Sequence, residues 1–153
     1  MKLAEALILR ADIRKRMAQW NDRVRTSVSV QEGEQPTEAP EALFTEWNAM
    51  VEEFTSLSVR INQANITVTL PNGISIMEAI AQRDALTLRA NGLNTAIGFA
   101  TAVQPRYGRA EIKTVATVDV AALRRDMADL MRQRRELDVQ IQAANWAAEM
   151  DEG

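Results

Sequence analysis

The chain is 153 residues long with a mass of 17.1 kDa, which suits one ordinary domain and predicts a single helical-bundle domain over residues 1–153. It contains no cysteine and no histidine, which excludes disulfides, thiolate nucleophiles, Cys/His zinc sites, Ser-His-Asp triads and imidazole proton shuttles. A formal net charge of −3 is too mild to imply a nucleic-acid or membrane partner, and with aromatics at 5% the core must be built from Leu, Ile, Val, Met and Ala.

The opening Met1-Lys2-Leu3-Ala4-Glu5 places an acid where a signal peptide needs apolar residues. No apolar run approaches the ~20 residues of a membrane-spanning helix. A cytoplasmic protein without a membrane partner is therefore expected. The first helix should run from about Lys2 to Arg25, with Leu3, Ala6, Arg10, Ile13, Met17, Trp20 and Val24 recurring at spacings of three and four. The connection from Val28 to Pro40, centred on Gln31-Glu32-Gly33-Glu34, is long for a helix-to-helix link.

Pro40 and Glu41 suit the opening turn of a second helix reaching about Asn65. Its seam is Leu43, Trp47, Met50, Phe54, Leu57, Ile61 and Ala64. Residues 28–55 hold seven acids and no base, whereas residues 2–25 hold seven bases against three acids. The two segments should neutralise each other when the first two helices lie side by side. In an antiparallel pair, Trp20 and Trp47 then come to comparable heights and can stack or pack edge to face.

Ile66 to Leu70 alternates and is β-branched, and Pro71-Asn72-Gly73 is a turn signal, so a short strand is expected here. Ser75 with Glu78 forms a capping box that starts a third helix with the seam Ile76, Ile80, Arg83, Leu86, Ala90, Leu93, Ile97 and Ala100. From Ala90 to Val103 this helix carries no charge and is apolar or small on several faces, which predicts a cover, favoured to be another subunit. Gln104 to Arg109 reads as a basic loop, and Glu111 to Ala116 as a second strand pairing with Ile66 to Leu70. Asp119 caps the last helix, whose seam is Leu123, Met127, Leu130, Arg134, Leu137, Ile141 and Ala144. The expected fold is all-α, an antiparallel bundle of four long helices with a small two-stranded β-hairpin-like arm. Self-association through the third helix and this arm is expected.

Three of the four seams are interrupted by one arginine. Arg10 and Arg83 each stand about eight residues into their helices and should share a level in an up-down-up-down bundle. A buried guanidinium needs a carboxylate, and Asp138 is the expected partner, with Glu5 or Asp84 as alternates. Two readings of this layer stand. One is a polar layer that fixes helix register; the other is an anion or phosphate pocket lined by Arg10 and Arg83 with Asn62, Asn65, Asp138 and Asn145. Other patterns carry less. Glu32, Glu34 and Glu38 fit no EF-hand spacing, and the adjacent Glu52 and Glu53 do not face one another on a helix. Without a Glu-x-x-His element there is no di-iron site, so no metal, cofactor or catalytic residue is assigned. Arg106, Arg109, Lys113, Arg124 and Arg125 form a basic set that Glu111, Asp119, Asp126 and Asp129 dilute, and no nucleic acid is expected.

Met1 to Leu7, Val30-Gln31-Glu32-Gly33-Glu34, Arg60-Ile61-Asn62 with Asn65, Ala81-Gln82-Arg83-Asp84, Arg135-Glu136-Leu137-Asp138, Ile141-Gln142 and Asn145-Trp146 together resemble a family of short bacterial proteins, some of which carry the name septicolysin. The resemblance spans nearly the whole chain. It implies a helical fold and supplies no catalytic or binding residue. The name would imply a cholesterol-dependent pore-forming cytolysin, but such toxins are several-fold longer, rich in β-structure and marked by a tryptophan-rich loop with a cysteine. None of those marks is present here, so a non-enzymatic oligomeric protein with an interaction or scaffolding role is expected. A small-anion binder is the alternative, and a membrane-active toxin the disfavoured third reading.

Overall fold

A computed structural model describes residues 1–102 and 113–150. It contains the helices α1 (Leu3–Ser27), α2 (Pro40–Thr67), α3 (Ile76–Thr101) and α4 (Val120–Ala147). The chain divides into two compact units, Met1–Thr69 with Gln142–Gly153, and Leu70–Ile141. The first thus holds α1, α2 and the last turns of α4; the second holds α3 and the rest of α4.

The helical seams are where the apolar periodicity puts them. On α1, Leu3, Ala6, Ile13 and Trp20 are buried, with Arg10, Met17 and Val24 half-buried. On α2, Leu43, Met50, Leu57, Ile61 and Ala64 are buried, with Trp47 and Phe54 half-buried. Every seam position of α3 and α4 is likewise buried or half-buried. Burying one such aliphatic side chain is worth roughly 1.5–3 kcal/mol, so a seam of this length holds a helix that propensity alone would leave marginal.

The helix starts have local causes. Pro40 occupies the first turn of α2, where its missing N–H costs nothing. The Ser75 hydroxyl accepts from the Glu78 N–H at 3.2 Å, and the Glu78 carboxylate accepts from the Ser75 N–H at 2.8 Å, closing the box that opens α3. Asp119 accepts from the Ala122 N–H at 2.9 Å and caps α4.

The expected β-arm is not formed. Ile66 and Thr67 continue α2, with the Val68 N–H still donating to the Ala64 carbonyl at 2.9 Å and the Thr67 hydroxyl bonded to the Gln63 carbonyl. Burial of Ile61 and Ala64 on the same helix carries it past two β-branched residues, whose intrinsic preference is worth only tenths of a kcal/mol. The turn signal itself was sound. Gly73, at φ +86°, donates to the Leu70 carbonyl, and the Leu70 N–H donates to the Ile74 carbonyl at 2.8 Å, which delivers the chain straight into α3. On the opposite segment Glu111 and Ile112 lie outside the described residues, as does the basic loop Gln104 to Arg109, and Lys113 to Ala116 form no strand.

Within the first unit the chain ends meet. Lys2 and Glu149 form an isolated antiparallel bridge; the Leu3 N–H donates to the Ala148 carbonyl at 3.0 Å, and the Met150 N–H to the Met1 carbonyl at 2.9 Å. The Lys2 ammonium closes the pair on the Glu149 carboxylate at 2.6 Å and also reaches the Ala147 carbonyl, the exposed end of α4. This pairing supplies partners for the first N–H of α1 and the last carbonyls of α4 together.

Candidate functional site

The α1–α2 pair gathers its charges as the sequence implies. Arg23 chelates Glu38 through Nε and Nη2 at 2.9 Å each, while its guanidinium also bonds Glu46 at 2.8–2.9 Å. Arg16 lies 3.7 Å from Glu53, and the Arg14 guanidinium stands 5.3 Å over the Phe54 ring. Hydrogen bonds to Arg23 hold the Glu38 and Glu46 carboxyls below their usual range and push the guanidinium further from deprotonation. Glu38 is thereby committed to anchoring the 28–39 connection. Glu32 and Glu34 are exposed, and among the described residues no group of three or more His, Cys, Asp or Glu is placed to hold a metal ion.

Trp20 is the hub of this unit. Its indole N–H donates to the Leu43 carbonyl at 2.8 Å, and its ring lies 4.5 Å from Trp47 at 37° and 6.0 Å from Phe44 at 60°. The Trp20–Trp47 pairing expected from their equal distance to the connection is present, as a tilted stack.

The second unit holds a polar tie between α3 and α4. Arg83 Nη1 donates to Asp138 at 3.3 Å, and its Nε and Nη2 donate to Asp84 at 3.1 and 2.9 Å. One turn further along, Arg134 Nε donates to the Thr87 hydroxyl at 2.9 Å, and that hydroxyl donates to the Arg83 carbonyl. The two helices run antiparallel here, 83 against 138 and 87 against 134. The bond to Asp84 first, then that to Asp138, raises the Arg83 pKa against the opposing effect of burial. Arg134 was visible as a seam arginine, but its partner was not: a threonine one turn from Arg83 gives no charge signal in the sequence.

The residues expected to line an anion pocket are divided by sequence between the two units. Arg83 and Asp138 belong to the second; Arg10, Asn62 and Asn145 belong to the first. Arg10 is half-buried on α1 and makes no ion pair among the described residues; Asn62 is exposed on α2. Asn145 is 5% exposed on α4, and its Oδ1 accepts no hydrogen bond among the described residues. The first unit also has a small groove of about 150 Å³ lined by Arg60, Gln63, Thr67, Val68, Glu149 and Met150. Cavities that enclose drug-sized ligands usually run to about 300–1,000 Å³.

Among the described residues of the second unit, the outer side of α3 exposes large apolar side chains. Leu88 is 72% and Phe99 81% exposed, and Met77 lies open in the first turn of the helix. No helix among the described residues is long and apolar enough to cross a membrane.

A family model described as a family of unknown function, DUF6847, matches residues 10–150. The crystal structure of a functionally unknown conserved protein from Corynebacterium diphtheriae matches with a TM-score of 0.90 and 34% sequence identity, covering 99% of each chain. No curated protein matches the chain. Neither match carries the septicolysin name that the sequence resemblance suggested.

Proposed function

Because the chain belongs to the family of unknown function DUF6847, whose description names no chemistry, we propose that it is a non-catalytic helical protein that acts by associating with protein, first of all with copies of itself. The observation that carries this reading is the outer side of α3, where Leu88 stands 72% and Phe99 81% exposed and the helix carries no charge beyond Arg89. Soluble surfaces hold scattered apolar residues without consequence, but large ones aligned along one helix stripe mark an interaction face.

The absence of histidine and cysteine from the sequence supports a role without catalysis, as does the small size of the groove beside Glu149. The Arg83 tie supports a structural reading over an anion pocket. Its one guanidinium faces two carboxylates, Asp84 and Asp138, which would repel an incoming phosphate.

Sedimentation equilibrium tests the proposal. The unmodified chain is expected to form a defined multimer, and Phe99→Glu to weaken association by about tenfold or more, as truncation or charging of a buried aromatic anchor does. An unmodified chain that stays monomeric at high concentration overturns it.

A further inference from the structure

An α-helix turns by about 100° per residue, so Leu88, Gly92, Thr95 and Phe99 fall on a single stripe of α3, opposite the stripe on which Ala79, Ala90 and Ile97 are buried. Their spacings are four, three and four, and their sizes run large, small, small, large. Both orders read the same in either direction along the helix. A two-fold symmetric contact requires a surface that complements itself after rotation, and an antiparallel helix pair imposes that condition on the stripe.

From this we propose that two copies of the chain lay their α3 helices side by side, antiparallel, about a two-fold axis passing midway between Gly92 and Thr95. The inference rests on the self-association reading above and gives it a residue-level geometry. Leu88 then packs on Phe99 of the partner subunit, and Gly92 faces Thr95 of the partner subunit.

One further observation on α3 fits this arrangement. Glycine weakens a helix interior, yet a Cβ placed on Gly92 would meet nothing within 4 Å, so packing among the described residues gives no reason for it. A second helix approaching closely does give one. Arg89, the one charge between Asp84 and Ala102, stands on the flank of the stripe and not on it. No like charges are brought together. A lipid or nucleic-acid partner would instead call for several cations around the stripe, and Arg89 alone supplies one.

The chain's lack of cysteine makes disulfide trapping a clean test. Leu88→Cys and Phe99→Cys chains are prepared separately, mixed and oxidised gently. The expected product is the mixed Leu88→Cys/Phe99→Cys disulfide, several-fold in excess over either like-with-like product, because facing positions of an antiparallel pair bring their Cβ atoms within bonding reach. Dominant like-with-like products from a chain that sediments as a dimer would mean parallel helices, overturning the geometry but leaving self-association standing. A dimer that forms none of these disulfides would place the contact elsewhere and overturn the geometry too. An unmodified chain that sediments as a monomer overturns both, leaving the stripe to a different protein.

Discussion

The α1–α2 pair and the α3–α4 pair solve the same packing problem with different materials. The first sets its aromatics against one another or against a cation: Trp20 on Trp47 and Phe44, and Phe54 under Arg14. It also knots its charges across the pair through Arg16 and Arg23. Of the six largest fully buried side chains among the described residues, Leu3, Ile13, Leu43, Met50 and Ile61 belong to the first unit and only Ile76 to the second. The second unit joins its helices through Arg83–Asp138 and Arg134–Thr87, buries alanines at Ala79 and Ala90, and turns its Phe99 outward. Both units leave apolar side chains exposed, Phe44, Val59 and Trp146 among them in the first. Among the described residues, though, the two most exposed large apolar side chains on any helix, Leu88 and Phe99, stand on one stripe of α3, and that is what sets α3 apart from α1 and α2.

The comparison breaks most sharply at Trp20. Trp20→Ala is expected to destabilise the chain by about 3–5 kcal/mol, because it removes a buried indole, its bond to Leu43 and the stack with Trp47 together. Urea unfolding followed by far-UV circular dichroism measures the loss, and a change below about 1 kcal/mol would show that the hub is misplaced. A smaller effect is expected in the second unit. Asp138→Asn weakens a half-exposed ion pair that solvent screens, and about 0.5–1 kcal/mol should be lost in the same assay.

The smallest effect is one of pH and sharpens the contrast in charge. Glu38 and Glu46 have carboxyls held below their unfolded values by Arg23, so the stability they confer is present above about pH 4.5 and fades as the pH falls through the lower folded values. Arg23→Gln removes that linkage. Its melting temperature should therefore drop less than that of the unmodified chain between pH 6 and pH 3, and an equal drop in both would sever the pair from stability.

Much of this was legible before any coordinates, where the information is local or periodic. The helix seams, the Ser75–Glu78 box, the Asp119 cap, the opening Pro40 and the opposed charges of the first two helices all follow from residues within a few turns of one another, or from summed charge. The Trp20–Trp47 stack followed from counting outward from one connection. The β-arm failed because local β preference was set against a helix already buried at Ile61 and Ala64, and burial is the larger energy. Arg134 could be seen as a seam cation, but not as the partner of Thr87. The anion pocket requires Arg10 and Arg83, which belong to different units, to share a level, and a pattern of threes and fours does not contain that information. The pairing of Met1 to Leu3 with Ala148 to Met150 left no sequence trace at all, since two short stretches at such separation show no shared periodicity.

That pairing bears on how the protein is made. The unit it closes is interrupted in sequence: Met1–Thr69 must wait for Gln142 onward, while Leu70–Ile141 arrives unbroken between them. The last residue of the second unit is thus synthesised before the last residues of the first. The order of synthesis and the order of completion therefore run in opposite directions, and the Lys2–Glu149 clasp is where the two are reconciled.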